Sequence, residues 1–290
     1  MLFQQILNGL TIGAVYALVA LGYTLAYGIL GLINFSHGEI YMMGAFIAFT
    51  CISIFNWNIW LSLILAVVIC GLIGIVVEIV AFRSIRHGAR SSQLISAIGV
   101  SIVLQNIAML TWSSRTQPFP QIITTKIIKI NDIVISNLQI YILATAVILM
   151  VTLYLLLYKS RIGIAIRATS QDPDTTSLMG INVNKIISIT FAVGSVLGAA
   201  AGILMGLYYN SIVFNMGYTV GLKAFVAAIL GGIGNIPGTM LGGILLGFVE
   251  SISAGFISSQ YKDALAFLIM IIVLLVKPTG IFGTKEVEKV

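Results

Sequence analysis

No lysine or arginine occurs before Arg83, and Glu39 and Glu78 are the only carboxylates in that stretch. A soluble domain does not present so long a run of nearly uncharged chain to water. In lipid every backbone polar group must be paired internally, which leaves helices or a closed barrel. About 20 apolar residues cross a bilayer core, and the apolar runs here are too long and unbroken for barrel strands. They fall at about 9–28, 33–55, 59–82, 93–113, 138–158, 186–208, 219–233, 239–257 and 263–276. The expectation is an all-α, polytopic transmembrane helix bundle of eight or nine membrane segments, some broken or re-entrant. Composition agrees: 59% of residues are hydrophobic and 8% charged, against about 25% charged in a soluble domain. Residues 1–290 therefore read as one transmembrane domain. The start, "MLFQQILNGL", has no basic flank or small-residue cleavage site, so no removable signal peptide is expected.

Basic residues orient the bundle. Arg83, Arg86 and Arg90 crowd one short loop, Lys159, Arg161, Arg167 and Lys185 another, and Lys277, Lys285 and Lys289 the tail. All three are assigned to the cytoplasmic side. The loop at about 114–137 then lies outside, and its "TKIIKINDIVIS" reads as a small amphipathic or extended cap. Counting outward from 83–90 puts the N-terminus outside, provided 28–38 is a complete turn. The basic residues form no continuous patch with aromatics, so nucleic acid is not an expected partner. Cys51 and Cys70 lie in apolar runs and read as packing residues.

Small residues recur every four positions at Gly194, Gly198, Gly202 and Gly206, and again at Gly243, Gly247, Ser251 and Gly255. Such stripes let helix backbones approach closely in lipid, and packing within the chain is preferred to a homodimer contact. Gly-rich "AAILGGIGNIPGTMLGG", with Asn235 and Pro237, interrupts a helix where hydropathy barely falls. It reads either as a broken helix lining a substrate path or as a tight cytoplasmic turn.

The loop 159–185 carries its own structure. Asp172 suits an N-cap, Pro173 the first helical position and Gly180 a left-handed stop, which predicts a short helix over 173–179. Asn184 reads as a cap for the next span. A merely solvated connector does not need two caps, so the loop reads as a docking surface for a cytoplasmic partner.

Within "INFSHGEIYMMGA", Asn34, Ser36, His37 and Glu39 stand together in an otherwise apolar setting. Charged groups inside a membrane are costly and face a bundle interior or water. The four either cap a helix break, the preferred reading, or line a translocation path. A Ser36–His37 catalytic pair is rejected, because adjacent helical residues point in different directions. Glu250, deep in its run, requires a hydrogen-bond partner or a proton. Glu78 reads as interfacial, and Lys223 as snorkelling to the outer interface in preference to meeting a substrate carboxylate or a partner's acid.

Four phrases carry a resemblance: "GAVYALVALGYTLAYGILGLINFSHGEIYMMGA", "GINVNKIISITFAVGSVLGAAAG", "GLKAFVAAILGGIGNIPGTMLGG" and "YKDALAFLIMIIVLLVKPTGIFG". In order and over almost the whole chain, they resemble branched-chain amino acid ABC importer permeases of the LivH type. The resemblance implies a transporter subunit in a bacterial or archaeal plasma (inner) membrane. It implies a second, related permease, two cytoplasmic ATP-binding subunits and an extracytoplasmic solute-binding protein. It also implies that 160–181 docks in an ATPase cleft, with Thr176, Ser177, Leu178, Gly180 and Ile181 at the contact. The chain has no G-x-x-x-x-G-K-[ST] motif, so ATP and Mg are expected in partner chains and no cofactor or metal in this one. Another small polar solute, such as urea or an amide, is the alternative cargo, and an intramembrane enzyme the rival class.

Overall fold

The computed structural model describes residues 2–31, 34–86, 88–123, 126–130 and 133–283. Lys285 and Lys289 of the tail, and Ile33 of the polar phrase, lie outside them. Eleven α-helices are present among the described residues. Seven helices, counting their π and 3-10 extensions, are long and apolar enough to cross a membrane. These are α1 (Leu2–Leu30), α2 (His37–Phe49, continued to Ile54), α3 (Ile59–Val77, continued to Ile85), α4 (Arg90–Trp112), α5 (Asn137–Lys159), α8 (Val183–Tyr209) and α10 (Ile236–Phe256). The two further segments expected from hydropathy are shorter helices, α9 (Met216–Gly231) and α11 (Lys262–Val276).

Cap chemistry places several of these boundaries. Ser136 and Gln139 form a reciprocal capping box at the start of α5. Asn58 accepts from Trp60 N at the start of α3. The cap of α8 is Asn182, which accepts from Lys185 N. Asn184, expected in that role, lies inside the helix and instead accepts from Arg86 Nη1 at 2.9 Å.

Two faces are distinct. On one, Glu78 at the end of α3 binds Arg83 and Arg86 and accepts from Ser188 Oγ. Leu157 of α5, Arg167 and Ile166 of α6 (Arg161–Gln171), Gly28 of α1 and Gly234 line one cleft there. On the opposite face, Gln4 near the start of α1 exchanges two hydrogen bonds with the Val134 backbone. Val134 belongs to a hairpin of β2 (Ile127–Ile130) and β3 (Ile133–Ser136), the extended form of the cap expected there. β1 (Gln117–Pro118) pairs with β4 (Ser211–Ile212) on the same face. The basic-residue rule assigns the first face to the cytoplasm; on that assignment the N-terminal end of α1, which lies on the opposite face, is outer.

The core forms around α1, most of which is buried, whereas α4 is largely exposed. Glycines set the spacing. On α10, Gly243 lies against Ala17, and Gly247 against the backbone of Gly9 and Gly13, all on α1. On α8, Gly202 lies against the carbonyl of Tyr41, while Ala199 faces Gly44 of α2. The stripes thus pack within the chain. A Cβ at Gly247 would collide with backbone, which cannot rotate away. Gly247→Val is expected to cost at least the ~1–3 kcal/mol typical of overpacking. A melting curve of the purified protein in detergent checks this, and a wild-type midpoint would contradict it.

Glu78 is fully buried, although it stands at the cytoplasmic end of α3. Its two arginines and Ser188 hold the inner ends of α3 and α8 together. Cys51 and Cys70 are free and buried.

Candidate translocation site and inner-face docking helix

α2 begins at buried residues within the bundle, and α9 begins against it. α2 starts at His37, whose ring packs against Gly22 of α1 and Gly198 of α8 and lies edge-on to Tyr23 at 5.1 Å. α9 starts at Met216, and its Gly217 and Gly221 lie against Gly38. α1 itself runs unbroken from Leu2 to Leu30.

The polar phrase builds that start. Asn34 Oδ1 accepts from Ser36 N at 3.1 Å and from Ser36 Oγ at 2.5 Å. His37 N and Glu39 N donate to the carbonyls of Asn34 and Ser36. The capping reading therefore describes Asn34, whose side chain accepts a backbone N–H; Ser36, the N-cap residue, makes no side-chain cap hydrogen bond. All four polar side chains are buried.

Glu39 does something else. Its Oε1 accepts from Ser101 Oγ at 3.0 Å, while Oε2 has no hydrogen-bond partner and lies against Gly217. Ser101 stands midway along α4 and lines a cavity of about 460 Å³. Tyr23, Gln105, Asn215 and Tyr218 add polar groups to its wall, and Phe35, Ile98, Ile102 and Leu222 add apolar ones. Of these, only Phe35 lies within the quoted polar phrase. The missed residues come from α1, α4 and α9, and no local pattern marks them.

Glu250 has the partner its depth requires. Tyr16 Oη donates to Glu250 Oε2 at 2.6 Å, and Lys223 Nζ sits 2.9 Å from Glu250 Oε1. Lys223 also lies 2.7 Å from Asp263 Oδ1, and Lys262 lies 3.2 Å from Glu250. Lys223 is 4% exposed, so it does not snorkel. Two carboxylates in reach outweigh the pull of the interface, and the cluster ties α1, α9, α10 and α11 together. The signal that could have found it is the pairing of opposite charges, Lys223 and Glu250, in successive apolar runs.

Asn235 and Pro237 lie at a turn on the cytoplasmic side. Asn235 caps α10 by accepting from Gly238 N, with proline in the first turn. Gly234 and Asn235 share a cleft with Tyr158 at the end of α5 and with Pro278 after α11. The segment is a capped turn that joins α9 to α10.

On the same face α7 (Pro173–Leu178) follows α6. Asp172 accepts from Asp174 N and Thr175 N. Thr176 Oγ1 donates to the Asp172 carbonyl, and Gly180 takes φ +82°. Ile181 N returns to the Thr176 carbonyl. Ser177 is exposed, and the tip presents Leu178 at 87% and Met179 at 78% exposure. Behind it, Arg167 stacks over the Tyr158 ring at 5.1 Å.

Seven membrane-capable helices, with α2 starting at a buried polar phrase beside a partly polar cavity, define a polytopic membrane protein of permease architecture. The PsaBC complex of Streptococcus pneumoniae, solved with a Fab, shares the fold at a TM-score of 0.50 and 11% identity, covering 94% of this chain and 91% of that one. The family described as branched-chain amino acid transport system, permease component, matches residues 5–274. The chain belongs to that family. It is 45% identical to BraD of Pseudomonas aeruginosa and 42% identical to LivH of Escherichia coli. Each alignment covers 99% of this chain and 97% of the relative. Both relatives are named high-affinity branched-chain amino acid transport system permease proteins.

Proposed function

We propose that this chain is the permease subunit of an ATP-driven importer, carrying leucine, isoleucine and valine inward across a bacterial or archaeal plasma membrane. The observation that carries the reading is the end-to-end likeness to BraD and LivH. The chain performs no chemistry of its own. It forms the path with a second, related permease. A solute-binding protein delivers cargo to the outer face, and two ATP-binding subunits work from the inner one.

The docking element is α7 with its flanks, Arg167 to Ile181. Exposed Leu178 and Met179 on a doubly capped helix favour this role, since a buried partner surface recovers the cost of leaving them in water. The transport step is alternating access, in which the halves of the complex rock about the mid-membrane cavity.

Vesicles test the proposal. The complete complex is expected to accumulate labelled leucine only when ATP and the binding protein are both present. Accumulation by this chain without an ATPase would overturn it.

A further inference from the structure

We propose that Glu39 is a positioning residue for transport. Its buried carboxylate, set between the first turns of α2 and α9 and tied to Ser101, fixes the spacing of two walls of the chamber between α1, α4 and α9. The inference deepens the importer reading and rests on it for the transport part.

The two helix starts repeat one pattern. Phe35, Gly38, Ala45 and Phe46 recur at identical spacing as Phe214, Gly217, Ala224 and Phe225. The repeats meet at their glycines, since a Cβ on either Gly38 or Gly217 would collide with the other's carbonyl. From this junction the helices lead to opposite sides. α2 runs to Thr50, which accepts from Trp112 Nε1 near the outer strand β1. α9 runs to Gly231, packed on Gly238 at the cytoplasmic turn. Two helix N-termini therefore adjoin, each equivalent to about half a positive elementary charge. Neither Ser36 nor Asn215 makes a side-chain cap hydrogen bond, and α9 has no acid in its own first turn.

Glu39 answers both ends. It belongs to the first turn of α2, and its Oε2 lies against Gly217 in the first turn of α9 without a hydrogen-bond partner. The residue is 1% exposed, and no basic side chain pairs with it among the described residues. A buried carboxylate is costly without compensation. Glu78 and Glu250 receive it from basic side chains, and Glu39 receives it from the two helix ends.

The carboxylate stands behind the chamber and does not line it. Its Oε1 holds Ser101 of the α4 wall, and its Oε2 abuts the α9 wall, which supplies Asn215, Tyr218 and Leu222. α4 is largely exposed, so side-chain hydrogen bonds matter to its placement. Toward its two ends, Ser96 Oγ donates to the Ala81 carbonyl at 2.8 Å and Trp112 Nε1 to Thr50 Oγ1 at 2.7 Å. Between them, the Ser101–Glu39 bond joins the middle of α4 to α2.

The test measures wall spacing and transport separately. The assembled complex in lipid nanodiscs carries spin labels at Gln105→Cys and Tyr218→Cys, on the α4 and α9 walls. The natural Cys51 and Cys70 are buried and stay unlabelled. Glu39→Gln keeps the size and removes the charge, and is expected to lengthen and broaden the interspin distance. Glu39→Asp keeps the charge and is expected to stay nearer the wild-type distance. Ser101→Ala is expected to lengthen it in the same direction. In proteoliposomes without the label sites, Glu39→Gln is expected to lower the maximal rate of ATP-dependent leucine uptake about tenfold, with the half-saturating concentration of loaded binding protein unchanged. A wild-type distance in Glu39→Gln, reduced uptake at a wild-type distance, or equal effects of Asp and Gln would each overturn the assignment. Where Glu39→Gln misassembles, Ser101→Ala decides, because it leaves the carboxylate in place; an unchanged distance there also overturns it. The distance is read without transport. Absent uptake by the wild-type complex therefore removes the importer reading, whereas normal uptake with unmoved walls removes only the role of Glu39.

Discussion

Lys223→Met is expected to destabilise the folded bundle by about 3–5 kcal/mol, the range for breaking a buried ion pair by deleting one partner. The lysine sits 2.9 Å from Glu250 and 2.7 Å from Asp263. Its removal leaves Glu250, which is 2% exposed, with Tyr16 and the more distant Lys262. The double replacement Lys223→Met with Glu250→Met is expected to recover much of the loss, because an apolar pair of similar volume replaces a desolvated ionic one. Lys262 and Asp263 are more than a third exposed at their side chains and can turn to water. Thermal unfolding in one detergent, wild type against single and double variants, reads the result. A double variant no more stable than Lys223→Met would show that the pair is not the source of the loss.

Leu178→Asp is expected to cut leucine uptake at least about tenfold while the complex still inserts. The side chain is 87% exposed and supports nothing within the chain. Its burial in a partner is worth about 1.5–3 kcal/mol, which is tenfold or more in association. Gly180→Val acts on the same element by a different route, since φ +82° is strained for a β-branched residue. Transport is scored against ATP hydrolysis in purified complex: continued hydrolysis with lost uptake is the expected signature. Several such variants with unchanged uptake would remove α7 from the docking role.

Features set by neighbouring residues were readable in the chain. Apolar runs located the helices, because each must satisfy its backbone alone in lipid. Asp172, Pro173 and Gly180 marked α7, because a cap acts over three or four residues. The spacing of Gly243 and Gly247 announced close packing without naming α1 as the partner. Lys223 was misread for the complementary reason. A lysine near the start of an apolar run looks free to reach the interface until Glu250 and Asp263, from later helices, are folded against it. The cap of α8 moved from Asn184 to Asn182 because Arg86, distant in sequence, engages the former. The polar phrase announced Glu39 but not its partner Ser101, nor Gln105 and Tyr218 of the cavity beside it, which are ordinary residues of α4 and α9 made neighbours only by the fold.

The central position of α1 has a consequence for how the protein is made. It is less apolar than the α3 span, and its glycine and threonine surfaces are matched to α10 and, at Gly22, to α2 and α8. These partners are synthesised after it. Thr24, which hydrogen-bonds Thr239 in the finished bundle, must meanwhile face lipid or a temporary companion. Nascent chains halted before α10 should therefore keep α1 within reach of a membrane chaperone, and release should wait until α10 has entered the bilayer.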